Sequence, residues 1–157
     1  MRLYDVQNLD KVWKRSLTPS DEHMGVATIG DDGQSIAIGG LDIKTGDWVT
    51  LDEDGKAVLA ESPTLLAYPV FTGGGDNENR ADAVAGGITV IAGQHWAITS
   101  EFADGEYTVG TLLTTRNGKL DIAGEDEYGN PEPVIAIVEG VEERAGYDKG
   151  VLKIKVL

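Results

Sequence analysis

Apolar and polar positions alternate in short bursts along most of the chain, and glycine-rich or acidic turns separate the bursts. This is the pattern of many short strands rather than of long helices. The stretch Ile43 to Ala60, IKTGDWVTLDEDGKAVLA, returns later as Tyr107 to Ala123, YTVGTLLTTRNGKLDIA. Gly46 and Gly55 stand nine positions apart, Gly110 and Gly118 eight, and Gly-Lys closes both turns. Each copy predicts a hairpin, with Lys56 or Lys119 following the turn glycine. Each also precedes an apolar run, Leu65 to Phe71 (LLAYPVF) or Val134 to Val138 (VIAIV), so the repeating unit is a hairpin plus a return strand. In the first copy Val49 and Leu51 share one face while Trp48 and Thr50 share the other. Pro69 removes one ladder donor and predicts an edge or a bulge, with a bend there.

Around this repeat, Val26 to Ile38 predicts a hairpin with its tip at Asp31-Asp32-Gly33, and Gly39-Gly40 releases the chain into the first copy. Ile88 to Ile91 and Trp96 to Phe102 predict two further strands. Val151 to Leu157 alternates most cleanly, with Leu152, Ile154 and Val156 opposite Lys153 and Lys155. A half-buried terminal strand of this kind closes a sheet, so its loss should damage folding more than trimming the amino end. Gly73 to Asn79 (GGGDNEN), with Arg80 to Asp82, reads as a mobile loop, and Gly124 to Pro133 as an exposed acidic excursion. The amino end differs: Leu9, Val12, Trp13 and Leu17 fall near helical spacing, with Lys11, Lys14 and Arg15 between them. A short helix packed on its own barrel and an extended arm docked on a neighbouring acidic subunit both fit. The expected fold is all-β, a compact sandwich or barrel. Residues 1–40 would form the arm or short helix and a hairpin, and residues 41–157 the β-barrel domain.

The 157 residues suit one domain with a sizeable core. Cysteine is absent, which excludes disulfides, thiolate metal sites and cysteine nucleophiles. The net charge of −14, from 27 acidic and 13 basic residues, argues against a nucleic-acid surface, which needs a basic footprint. The start lacks the apolar core of a secretory signal, and no run approaches the ~20 apolar residues of a membrane helix. A soluble, unexported protein without a membrane partner is expected.

Candidate chemistry is sparse. His23 and His95 have no second histidine at ligand spacing, so no metal site is assigned. His23 is expected to be solvated in a loop, and His95 to pack beside Trp96 at the start of a strand. Asp52-Glu53-Asp54-Gly55, Asp76-Asn77-Glu78 and Glu125-Asp126-Glu127 lack the fixed ligand spacing of a calcium loop. The second copy of the repeat carries Thr115, Arg116 and Asn117 near its tip, so the acids read as turn residues. No serine lies in a Gly-x-Ser-x-Gly turn, and Ser100 has no local base. No catalytic residue or cofactor is assigned. Two other readings stay open: a hydrolase whose carboxylates are gathered by folding, and a carbohydrate-binding or host-attachment module. In the second, Trp48, Trp96, Tyr68 or Tyr107 would form an exposed stacking platform.

The order of segments, TGDWVTLDEDGKAVLA, LLAYPVF, a Gly-rich loop, GGITVIAG, GTLLTTRNGKLDIA and PVIAIVEG before a closing strand, resembles the small head decoration, or cement, proteins of tailed bacteriophages. The resemblance runs from about Ile43 to Leu157 and rests on the Gly-Asp-x-Val and Gly-Lys-Leu turns. It implies a compact β-barrel or β-tulip domain, a non-enzymatic virion protein set on the outer face of an icosahedral shell, often as a homotrimer at local threefold positions. Its partner would be the major capsid protein, and it would be made in the host cytoplasm. An amino-terminal arm commonly grips the capsid in such proteins, which makes Tyr4, Leu9, Val12, Trp13, Lys14 and Arg15 the expected capsid contacts. On this reading, deleting Met1 to Leu17 should abolish capsid binding and leave a folded domain. The segment Ala145 to Val151 is also similar to a Gly-Tyr turn of trimeric dUTPases, but the phosphate-binding Ser-Gly turn and Arg of that family are not found.

Overall fold

A computed structural model describes residues 2–23, 27–29, 31–34, 36–38, 42–72 and 87–157. The strands are β1 (Tyr4–Val6), β2 (Trp13–Leu17), β3 (Ala27–Ile29), β4 (Ile36–Ile38), β5 (Trp48–Leu51), β6 (Ala57–Leu59) and β7 (Tyr68–Thr72). They continue with β8 (Ile88–Ala92), β9 (His95–Thr99), β10 (Leu112–Arg116), β11 (Lys119–Ile122), β12 (Ala136–Arg144) and β13 (Tyr147–Val156). The protein is all-β, with a curled six-stranded sheet packed with a second, five-stranded sheet into a compact sandwich or barrel. The loop expected at 73–82, with its acidic cluster at 76–78, lies outside the described residues, as do Val26 and Gly39-Gly40.

Both expected hairpins form. In the second, Asn117 and Gly118 take positive φ of 54° and 74° between the paired Arg116 and Lys119, the two-residue turn that matches strand twist. In the first, Gly55 supplies φ 75°, and the Asp52 carboxylate accepts from the N–H of Asp54 and Lys56, both at 2.9 Å. The return strands pair as the repeat implied: β7 with β5, and β12 with β10.

The duplication reaches further than the hairpins. The strand orders β2-β8-β7-β5-β6 and β9-β13-β12-β10-β11 are the same arrangement used twice, five strands each, all antiparallel. Loop hydrogen bonds repeat with them. Gly46 N–H donates to Val70 O at 2.9 Å and Gly110 N–H to Val138 O at 2.8 Å; Ala60 N–H donates to Trp48 O and Ala123 N–H to Leu112 O, both at 2.9 Å. A side chain caps each loop alike: Asp47 Oδ2 accepts from Lys44 N–H at 2.9 Å, and Thr111 Oγ1 from Thr108 N–H at 3.0 Å. Beyond its first strand, each unit runs parallel to its third, Pro19 beside Ala57 and Phe102 beside Leu120.

Each unit therefore closes around equivalent side chains. In the first these are Leu17, Ile43, Val49, Ala57, Val70, Ile88 and Val90. Their counterparts in the second are Thr99, Tyr107, Leu113, Leu120, Val138, Leu152 and Ile154. The units are joined because β5, β7 and β8 also use their outer faces: Trp48, Phe71 and Ile91 pack into the second core, with Trp48 edge-on to Tyr4 at 6.5 Å. Full burial of Ile91 alone contributes roughly 1.5–3 kcal/mol. Backbone bonds reinforce the joint, Trp48 N–H to Gly118 O at 2.8 Å and Gly118 N–H to Ala60 O at 2.9 Å.

The amino end departs from helical expectation. Asn8, at φ 52°, leads into one 3₁₀ turn at Leu9–Lys11, and the flanking residues are strands β1 and β2 of different sheets. The spacing of Leu9, Val12, Trp13 and Leu17 suggests a helix because Leu9 and Val12 belong to this turn and its exit, whereas Trp13 and Leu17 lie in WKRSL, which β8 holds extended. Since β2 and β5 share a sheet, the boundary expected at residue 40 runs through that sheet. Pro69 sits in an interior strand opposite Trp48, beside a register slip between Val70 and Thr72, so the bulge alternative is the one realised. The last strand, β13, is central rather than closing, between β9 and β12.

Candidate functional site

WKRSL forms one of the two outer strands of the five-stranded sheet. Trp13↔Ala92 through Leu17↔Ile88 pair it with β8, and among the described residues nothing pairs with its other edge. Leu17 anchors it in the first core, while Trp13, Lys14, Arg15 and Ser16 are all exposed. Trp13 is 80% exposed, unusual for a residue type that is highly buried on average. The Arg15 guanidinium lies 5.5 Å from the Tyr68 ring centre and donates to the Tyr68 hydroxyl at 3.3 Å. A shallow hollow of about 290 Å³ opens beside this strand, lined by Lys11, Val12, Trp13, Ala92, Gly93 and Gln94.

Of the six expected contact residues, Trp13, Lys14 and Arg15 share this exposed strand, and Leu9 and Val12 are half-buried against the second core. Tyr4 is not available for docking, which corrects its place among the contacts. It alternates with Val6 into the interior, 3% exposed, and its hydroxyl bonds to His95 Nε2 at 2.7 Å. Arg2 is likewise withdrawn from the basic surface. Its guanidinium donates to Thr45 O at 2.7 Å and is paired with Asp47 and, at 2.8 Å, with Glu101. Burial raises the Asp47 pKa, and Arg2 with the Lys44 N–H offsets this in part.

Other polar groups of the sequence reading have structural partners. His95 is 1% exposed; its Nδ1–H donates to Gly93 O at 2.8 Å, leaving Nε2 to accept from Tyr4, and burial holds its pKa below the ordinary value. His23, expected to be solvated, is buried: Nδ1 bonds Asp42 at 2.9 Å and Nε2 faces the Leu59 N–H at 3.3 Å. Asp126 organises its turn as Asp52 does, accepting from the N–H of Tyr128 and Asn130 at 2.9 Å. The acidic excursion is tied down by Arg116, bidentate to Glu132 at 2.8 and 2.9 Å and bonded to Asp121 at 3.0 Å. Among the described residues no three His, Asp or Glu side chains gather in a metal-holding group, and no helix is long and apolar enough to cross a membrane.

The aromatic platform does not assemble. Trp48 is buried, and Tyr68 is half-buried beneath Arg15. Tyr107 stands edge-on to Phe102 at 5.2 Å, its pKa pushed up to about 12 by burial and then by Asp121 and Asp104. Of the four rings only Trp96 is exposed, with the Lys155 ammonium 5.6 Å from its centre. Comparison of the chain with protein-family models, with curated proteins and with solved structures finds no match.

Proposed function

We propose that this is a non-enzymatic decoration protein of a tailed-phage head, one that binds the outer surface of the major capsid lattice and bridges neighbouring capsomers. The observation that carries this reading is β2: an aromatic ring and two cations presented together on an edge strand of a body whose net charge is −14. Exposed Trp and Arg are the residue types that anchor protein interfaces. Both cores are filled by apolar side chains, which suits a rigid adhesive body. The acidic remainder would keep the protein soluble before assembly and apart from nucleic acid. Binding the assembled lattice more tightly than its separated subunits shifts the balance toward the lattice, and a homotrimer would multiply the contacts. The order of segments supports the same reading and the trimer. Virion location, on the capsid exterior, follows from it.

The test is co-sedimentation with emptied phage heads, comparing the wild type with a Trp13→Ser, Lys14→Glu, Arg15→Glu variant. All three side chains are exposed, so the variant should fold. Deleting residues 1–17 is a poorer test, because it removes Tyr4, Val6 and Leu17 from the two cores. The wild type should pellet with the heads and the variant should stay in the supernatant. Equal behaviour of the two would overturn the reading. The buried Trp48 and half-buried Tyr68 and Tyr107 weigh against the carbohydrate-platform alternative.

A further inference from the structure

The two five-stranded units differ at one edge. In the second, β1 lies along the outer side of β9, pairing Tyr4↔Thr99, Asp5↔Ile98 and Val6↔Ala97. Gln7 N–H donates to Trp96 O at 2.9 Å and Ser100 N–H to Leu3 O at 3.1 Å, extending that ladder at both ends. This strand is what makes one sheet six-stranded and the other five-stranded. In the first unit the position of β9 is held by β2, and among the described residues nothing occupies the place that β1 fills.

Register carries the comparison to single residues. Arg15 lies opposite Val90 as Ala97 lies opposite Ile154, and Leu17 opposite Ile88 as Thr99 lies opposite Leu152. Lys14 and Ser16 therefore match Trp96 and Ile98. Trp96 O and Ser100 N–H bond toward β1, and facing groups alternate along an antiparallel strand, so Ile98 presents its backbone there too. The corresponding outward groups of the first unit are the N–H and C=O of Lys14 and Ser16.

We propose that the outer edge of β2 is a strand-addition site that takes an extended, acidic segment of a partner protein as the sixth strand of this sheet. Main-chain bonds to an open edge supply affinity in such complexes, and side chains on alternate residues supply selectivity. The selectivity here is electrostatic. Lys11, Lys14 and Arg15 lie within a stretch, residues 11–20, that contains no acid. A second copy's own β2 is a poor occupant, because antiparallel pairing would set these cations against their counterparts, and like charges directly opposite destabilise a sheet. Trp13 and the adjoining hollow offer an apolar contact at one end of the strand. The site stands whatever the partner is, so a failed capsid-binding experiment would leave it untouched.

Basic residues on an edge strand also serve to discourage aggregation, and the experiment separates that role from docking. The full chain, isotope-labelled, is titrated with a short capped peptide of alternating valine and glutamate, and amide exchange is followed residue by residue. Exchange at Lys14 and Ser16 should slow by about tenfold, equivalent to about 1.4 kcal/mol of local stabilisation, while an alternating valine–lysine peptide has no effect. Ser16→Pro removes an outward donor at an edge, where proline is tolerated, and should abolish the protection without unfolding the protein. Lys14→Glu with Arg15→Glu should transfer the preference to the lysine peptide, which keeps the test decisive even if the proline variant misfolds. Four results would each overturn the proposal: no change at β2, protection located elsewhere, an equal response to both peptides, or peptide-independent self-association through β2.

Discussion

Trp48 and Leu112 occupy the same position in the two units, each accepting a backbone bond from the alanine that ends its hairpin. Their surroundings are opposite: Trp48 is fully buried where the first unit meets the second, whereas Leu112 is 47% exposed, with no further unit packed on it among the described residues. Truncating both to alanine therefore measures the joint between the units. A buried aromatic removes about 150–250 Å² from water, which at roughly 25 cal/mol per Å² is about 4–6 kcal/mol. Direct truncations of buried aromatics cost about 3–5 kcal/mol. The Trp48 Nε1–H finds no acceptor among the described residues, so loss of that unpaired donor offsets part of the cost. Trp48→Ala should then cost about 4 kcal/mol, and Leu112→Ala about 1 kcal/mol or less. For a chain of this size that is a melting-temperature drop of roughly 8–16 °C against about 2–4 °C. Urea titration followed by far-ultraviolet circular dichroism is the suitable assay, since removing an indole alters the fluorescence signal itself. Equal losses in the two variants, or a Trp48→Ala cost below about 1 kcal/mol, would refute the shared-core account.

Three further expectations follow from particular residues. Gly150 has φ 73°, and a Cβ there would lie 2.5 Å from Glu142 O, whereas Gly146, at φ 88°, has open space. Both alanine variants carry the left-handed cost of about 1–2 kcal/mol, and Gly150→Ala should add about 1–3 kcal/mol of overpacking, read as a difference in urea midpoints. Burial lowers the His95 pKa below its reference of 6.5, against the opposing effect of the Gly93 bond. The unfolded chain thus takes the proton first, and the stability contribution is complete above pH 6.5 and is lost as pH falls toward the folded value. Asp47, raised above 3.8, contributes in the opposite sense, its share being complete below pH 3.8 and lost as pH rises through the folded value. His95→Gln should flatten the slope of stability with pH just below 6.5, and an unchanged slope would contradict the assignment. Removing residues 1–6 bares β9 and takes Tyr4 from the core. The loss should be at least the about 3–5 kcal/mol of one buried aromatic, and removing residues 152–157 from the central β13 should abolish folding, measured as soluble yield and melting.

Much of the fold could be read from the chain because glycine and hairpin chemistry are local. Gly46 and Gly110 both need positive φ, at 89° and 94°, and Asn117-Gly118 names its own turn. The longer duplication was hidden because packing constrains only size and apolarity: Ile88 matches Leu152 and Val90 matches Ile154, with no identity for a repeat to show. Strand β2 was harder still, since WKRSL has one buried residue in five and is extended only because β8 pairs with it. Trp13, Lys14 and Arg15 could be chosen as surface anchors from charge and aromaticity alone. Tyr4, Arg2 and His23 could not be placed, because their partners, His95, Asp47 with Glu101, and Asp42, stand 91, 45, 99 and 19 positions away.

The claim that most depends on the structure is that one edge of a duplicated sheet is open while its twin is covered, and native-state amide exchange of the free protein tests it most directly. Ile98 and Ser100, facing β1, should exchange only with the larger openings of the sheet, whereas Lys14 and Ser16 should exchange close to the unprotected rate. Equal protection at the two pairs would mean that something already covers β2, and the docking account would fail with it.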